Sequence, residues 1–386
     1  MPSILYIWKG EYPWDVRAEK FCYTLADNGF DVIMLARWSS GQAKEENFGK
    51  FRVIRVGYDQ AGFKSMPVSS NPIWKNAIKK AIERFNPSVL IPREILLAES
   101  AGDLAGKYSI PVVMDMAENY PAAMLLWKKY RKTFTRRLMV HHLRIPHRTE
   151  KNSVAKMDGI ITVCIEQNHR LNTAYKFPYE NMETVHNTPD KDFFRDIKPP
   201  ENSESSCLGH HGNVTDEKKI DILLNGFSGV AEKFSHMKLL IAGAGESLDD
   251  LKKLASEINH SERIEFTGKY KFSQLKKIIS KIDIGVIPYE PNDFNNYTIH
   301  NKIFDYFASG RPVIVSPAEP LRRIVREYGA GIVMEDHSVN SMENAIREMM
   351  TADREQLSIN SIKAASEKYN WETDSKKLVE FIRKYI

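Results

Sequence analysis

Asn301, Lys302 and Asp305 open the stretch NKIFDYFASGRPVIVS (301–316), where an amphipathic helix is expected to start. Lys302 and Asp305 stand three positions apart and so share a helix face. Free N–H groups and the positive end of the macrodipole favour an anion such as a diphosphate there. A carboxylate one turn in can accept two hydroxyl hydrogen bonds. Lys218, in Gly212-Asn-Val-Thr-Asp-Glu-Lys218, stands at a second expected helix start, within reach of a bound phosphate. Gly243 and Gly245, in Ala-Gly-Ala-Gly, either let backbone approach a ligand closely or make a tight turn. Each feature alone also has a plain structural reading: a solvated lysine, an ordinary acid in a first turn, a loop.

The elements that must position these residues alternate between strand and helix. The chain opens with the strand Ser3–Trp8, a turn-rich loop, a helix over Val16–Asn28 closed by Gly29, and the strand Asp31–Leu35. Helix Ile73–Phe85 with strand Val89–Ile91, helix Ala98–Lys107 with strand Val112–Met114, and strand Gly159–Val163 continue it. This is the beginning of a doubly wound α/β sheet. The polar, proline-containing Asp196–Ser206 is read as a linker. The alternation then restarts with strand Cys207–His211, helix Lys219–Glu232, strand Lys238–Ala242, helix Leu248–Ile258, strand Ile264–Thr267, helix Gln274–Lys281 and strand Ile284–Ile287. Gly310 and Pro312 end the next helix before the buried strand Val313–Val315. The lysine, the glycines and the 301–305 group therefore fall at strand-to-helix loops, the ligand-binding end of such sheets. The expected domains are residues 1–195, residues 196–370 and a terminal segment, 371–386, that packs back on the first.

The totals agree. The chain has 386 residues, 42% apolar and 27% charged, with a net charge of +5. That is a globular composition, long enough for two cores. Cys22, Cys164 and Cys207 are odd in number and scattered, which excludes a disulfide framework and a thiolate metal site. No apolar run is long enough to span a bilayer, and a reduced, cytoplasmic compartment is expected. His141, His142 and His147 lack carboxylate or cysteine neighbours at ligand spacing, so no metal is expected. His210 and His211 end a strand before Gly212.

In order and spacing, Gly212…Glu217-Lys218…Asp221, Leu239–Gly245, Ile264–Gly268, Ile282–Tyr289 and Asn301–Val315 resemble the retaining GT-B glycosyltransferases of glycosyltransferase family 4. Ile4–Ile7, Arg17, Gly29–Val32, Asp115…Glu118…Pro121 and Met157–Val163 resemble its N-terminal half more loosely. The resemblance implies two Rossmann-like domains facing a cleft, with a C-terminal helix crossing back. It implies transfer of a sugar from a nucleotide-sugar donor, UDP- or GDP-linked, to a glycan or polyprenyl-linked acceptor, in bacterial surface polysaccharide or glycolipid assembly, without a cofactor. By the same resemblance Lys218 and Lys302 stabilise the departing diphosphate. Asn213, Gly243, Gly245, Tyr297 and Asn301 line the donor, Tyr270 lies beside the base and Asp305 holds the ribose. Lys9 and Arg17, near the first β-α loop, are candidates for an anionic acceptor; Asp115 and Glu118 either bind acceptor or sugar hydroxyls or serve as helix-cap or loop carboxylates, Glu118 also being a candidate catalytic residue.

Three positions depart from the family pattern. Asn213 replaces an arginine, Tyr297 the first acid of E-x7-E, and Ala117 a histidine beside the sugar. These departures support the alternative of a non-catalytic GT-B subunit that binds a sugar nucleotide or glycan, while Lys218, Asn301, Lys302 and Asp305 argue for catalysis. An epimerase or phosphorylase of the same fold is a weaker reading, and no lysine-aldimine signature accompanies it. Residues 127–150 interleave cations with Trp127, Tyr130, Phe134, Leu138 and Met139. That pattern is expected of a surface helix dipping into an anionic membrane face. No nucleic-acid motif accompanies it.

Overall fold

In the computed structural model, which describes residues 1–13, 15–59, 62–201 and 206–386, strands form where apolar runs allow burial on both faces. The first unit comprises Met1–His186 and Asp374–Ile386. Its strands are β1 (Ser3–Ile7), β2 (Asp31–Arg37), β3 (Glu45–Phe48), β4 (Phe51–Val56), β5 (Val89–Pro92), β6 (Val113–Met116), β7 (Gly159–Thr162) and β8 (Met182–Thr184). One sheet runs β3-β4-β2-β1-β5 and another β6-β7-β8. Parallel bridges from Leu90 to Val112 and from Arg93 to Asp115 set β5 beside β6. Only β3 is antiparallel to its neighbour among these pairings. The β3–β4 hairpin and the short β8 were not expected from the sequence.

The second unit comprises Asn187–Thr373. Its parallel strands β9 (Cys207–His211), β10 (Lys238–Ala242), β11 (Ile264–Gly268), β12 (Ile284–Ile287), β13 (Val313–Val315) and β14 (Gly331–Val333) run in the order β11-β10-β9-β12-β13-β14. The division between units falls after His186, so residues 187–195 lie with the second unit and not the first. The polar stretch read as a linker lies inside that unit, and its residues 202–205 fall outside the described residues. The last helix, Trp371–Arg383, begins in one unit and ends in the other.

Local chemistry fixes the helix ends. Asp15 accepts from Ala18 N at 2.8 Å to cap Val16–Asp27, and Asn71 caps Pro72–Phe85 with proline in the first turn. The helix Lys302–Ala308 buries Ile303, Phe304, Tyr306 and Phe307, each such side chain contributing about 1.5–3 kcal/mol. Gly310 then takes φ +74°, and Val313–Val315 is fully buried, as expected. Residues 127–150 are not one amphipathic helix. They form a 3₁₀ turn at Lys128–Tyr130, a helical turn at Phe134–Arg137, a π turn at Leu138–His142 and the start of the helix Ile145–Val154. Glu150, fully buried, anchors that helix by accepting from Arg170 at 2.6 and 2.9 Å and from Tyr175 at 2.6 Å.

Candidate functional site

The loops at the carboxyl ends of β9, β11 and β12, with the helix that precedes β13, bring together most of the expected donor residues. Lys218 closes the 3₁₀ turn Asp216–Lys218 after β9, where Lys219 takes φ +48° before the helix Ile220–Ala231. Its Nζ lies 4.6 Å from the centre of the Tyr289 ring and 5.9 Å from that of Phe294. Lys302 Nζ lies 4.7 Å from the same Tyr289 ring and donates to the Tyr289 hydroxyl. Burial, and then the charge of Lys218, push the Lys302 ammonium well below its ordinary pKa, while Asp305 pulls the other way. Tyr289 is therefore the pivot of the cation pair. Tyr289 ends the stretch Ile282–Tyr289 that carries the resemblance, but its own role is not legible there, since an aromatic after proline at a strand end reads as core.

Asp305 and Tyr270 meet at His211. The ring accepts or donates through Nδ1 to the Tyr270 hydroxyl at 3.2 Å, and its Nε2 lies 3.6 Å from Asp305 Oδ2. Burial, then Lys302, lower the His211 pKa to about 3, so the ring is neutral at physiological pH. Burial and then Asp305 raise the Tyr270 phenol to about 12. His210, wholly buried, uses Nδ1 on Val286 O at 3.0 Å, and burial keeps it neutral as well. Asn301 is exposed at the head of its helix, Tyr297 is half-buried, and Asn213 is exposed.

Gly243 and Gly245 are needed for a different contact from the one expected. A Cβ on Gly243, at φ +144°, would fall 1.8 Å from Gly212 O, and one on Gly245 would fall 2.0 Å from Val214 O. The two loops are stitched by Gly212 N to Ala242 O at 2.8 Å and Val214 N to Ala244 O at 3.1 Å. The glycines thus admit the β9 loop and set the backbone that leads to Lys218.

In the first unit, Arg17 and Asp115, expected to face an acceptor, pair instead with each other. Asp115 is wholly buried, accepting from Arg17 Nε at 2.9 Å and Tyr6 OH at 2.8 Å, with Arg93 Nη1 at 3.3 Å. Arg17, 2% exposed, also donates to Val185 O at 2.8 Å. Burial would raise the Asp115 carboxyl, yet Arg17 and Arg93 together hold it below its ordinary value. These two residues build the floor beneath the loops and are not themselves open to an acceptor. Lys9 and Glu118 are half-buried, and Lys9 donates to Tyr120 OH at 2.7 Å. Among the described residues no cluster of His, Cys, Asp and Glu is placed to hold a metal ion, and no helix is long and apolar enough to cross a membrane.

Residues 205–352 match the family described as glycosyl transferases group 1. An uncharacterized glycosyltransferase of Methanocaldococcus jannaschii is 28% identical over 172 residues, covering 44% of this chain and 42% of that one. The chain spans about half the length of the curated relatives it matches. Among solved structures, sucrose-phosphate synthase of Thermosynechococcus elongatus superposes with a TM-score of 0.78 at 17% identity, covering 100% of this chain and 99% of that one. Anabaena HepE in complex with UDP-glucose gives 0.69 at 12% identity, covering 100% of both. The GT-B fold expected from the sequence is borne out by these likenesses.

Proposed function

We propose, from the premise that residues 205–352 form a group 1 glycosyl transferase domain, that this chain moves a sugar from a nucleotide-sugar donor to a glycan or lipid-linked acceptor. The observation that carries this reading is the convergence of Lys218 and Lys302 on Tyr289, with Asp305 and Tyr270 joined through His211. Two lysine side chains converging on one tyrosine ring favour a multiply charged anion, and a diphosphate supplies it. Asp305, one helical turn from Lys302, is then the acceptor for ribose hydroxyls, and Tyr270 stands toward the base. The donor is a UDP- or GDP-sugar. The HepE complex with UDP-glucose supports that class.

The transfer proposed is retaining and metal-independent. The developing charge on the departing diphosphate is met by Lys218 and Lys302, the kind of preorganised contact that is often the largest catalytic contribution. A donor phosphate oxygen takes the acceptor proton. Glu118, half-buried at the end of β6, binds acceptor or sugar hydroxyls. The pathway served is assembly of a surface polysaccharide or glycolipid at the inner membrane face. Phe134 (79% exposed), Met139, Leu143 and Ile145 stand out between Arg131, Lys132, Arg136, Arg137 and Arg144, which suits an anionic lipid surface.

A thermal-shift screen of UDP-, GDP-, dTDP- and CMP-sugars, then a donor-hydrolysis assay on the best of them, tests the reading. Saturation to a hundred times Kd should stabilise the protein by about 2.7 kcal/mol. If no nucleotide sugar moves the transition, the assignment fails.

A further inference from the structure

Glu94 is a buried carboxylate in a backbone conformation that side chains rarely adopt. It follows β5 and precedes the helix Ile95–Tyr108, with φ 63° and ψ 167°, a region held almost only by glycine. Its N–H donates to Asp115 O at 2.9 Å, and its Oε1 accepts from Ala117 N at 3.2 Å. These bonds pin a strained residue at the carboxyl end of the strand, between the loops that carry Lys9 and Glu118. The residue is 3% exposed, and Oε2 has no hydrogen-bond partner. It makes no side-chain cap to its own helix, so capping does not account for it. Backbone strain and an orphaned buried oxygen are both costly and persist where a ligand completes the set.

We propose that Glu94 is a binding residue for a neutral, hydroxylated ligand, its Oε2 hydroxyl donating to a ligand oxygen beside Lys9 and Glu118. Burial, more than any neighbour, raises this carboxyl to about 8, with Glu118 and Asp115 adding to the rise and Lys9 and Arg93 opposing it. At neutral pH the group therefore holds its proton and lacks only an acceptor. The charges around it argue against an anion: Arg17 and Arg93 are engaged by Asp115, Arg93 also faces Asp15 at 3.2 Å, and Glu118 offsets Lys9. Because Oε2 is sealed from water, a side chain beside it must shift to admit the ligand. The proposal rests on the glycosyltransferase reading only in naming that ligand an acceptor sugar or polyol.

The full chain and its Glu94→Gly and Glu94→Gln variants are titrated with glucose, mannose, N-acetylglucosamine, myo-inositol and inorganic phosphate by ligand-observed NMR. UDP and GDP binding is measured separately by calorimetry. At least one neutral probe should bind the wild type and bind Glu94→Gly about tenfold or more weakly, while Glu94→Gly melts no earlier, since glycine relieves the φ. Glu94→Gln, which keeps a donor, should retain binding, and only the wild type should lose affinity as pH rises through about 8. Equal binding by all three proteins, binding of phosphate alone, no neutral probe binding the wild type, loss in Glu94→Gln equal to that in Glu94→Gly, or early melting of Glu94→Gly would each overturn it. Probe binding without nucleotide binding would sink the glycosyltransferase reading and leave this site standing. Nucleotide binding with Glu94-independent probe binding would do the reverse.

Discussion

Lys218 and Lys302 hold their ammonium groups against a single ring, that of Tyr289, at 4.6 and 4.7 Å from its centre. The charge of Lys218 disfavours that of Lys302, and Asp305 opposes the effect. Lys302, with a pKa well below its ordinary value, gains stability for the fold as pH rises toward the unfolded lysine value of about 10.4 and loses it as pH falls through the folded one. A seated diphosphate reverses the shift, so nucleotide binding above the folded pKa should take up a proton. Calorimetry in two buffers of different ionisation heat reads that uptake. Lys302→Met should abolish it, raise the stability of the unliganded protein at neutral pH, and weaken nucleotide binding by about 1.5–3 kcal/mol. Lys218→Ala should slow transfer about a hundredfold.

Asp305→Asn keeps shape and removes charge. Nucleotide and nucleotide-sugar affinities should fall alike, by about 1.5–3 kcal/mol, with little change in melting temperature, because His211, the neighbour at 3.6 Å, is neutral. A variant that binds normally and melts early would make Asp305 structural.

Gly243→Ala should be damaging through the loop junction. Its Cβ has nowhere to go but Gly212 O, so the β9 and β10 loops must part, and the protein should lose about 3 kcal/mol or more in urea unfolding. Nucleotide affinity should drop with it, because the same junction sets the loop that leads to Lys218. Unchanged stability would mean that the two loops do not pack as described.

The first unit supplies a contrast in acid stability. Asp115, held below the ordinary carboxyl range, stabilises the fold fully above the unfolded value of about 3.9, and that contribution is lost as pH falls from there toward the folded pKa. Asp115→Asn leaves Arg17 and Arg93 without their shared carboxylate and should cost about 3–5 kcal/mol, flattening the acid limb of a stability-versus-pH curve. A variant as stable as wild type at neutral pH would contradict the network.

The exposed patch around Phe134 should bind anionic vesicles and release them as salt rises, each basic residue near the surface contributing about 1 kcal/mol. Phe134→Glu should weaken sedimentation with such vesicles. Equal binding to neutral vesicles, or none, would remove the membrane from the picture.

Local pattern made the strand-to-helix loops of the second unit legible. Apolar runs such as Val313–Val315 can only be buried strands, and the loop after each run must lie at one sheet end. Contacts between distant positions left no local trace. Arg17 and Asp115 are 98 residues apart, and each alone looks like a free charge at a loop. Glu45–Phe48 was missed because an exposed edge strand has no apolar period to show. Glu94 was missed for a related reason: a charged residue after Val89–Pro92 reads as a helix start, and its left-handed φ has no side-chain signature. The glycines at 243 and 245 were noticed, but which backbone approaches them depends on the register of β9 against β10.

The first unit closes only when Asp374–Ile386 joins Met1–His186, with His186 Nδ1 3.1 Å from Asp374 Oδ1 at the junction. Leu378, Phe381 and Ile382 are buried in that closure. During synthesis, residues 187–373 emerge in between, and they form a unit with its own core. The half of the molecule translated first is therefore finished last. A nascent chain passes through a stage in which a complete second unit hangs from an incomplete first one, its apolar docking face uncovered and open to chaperones.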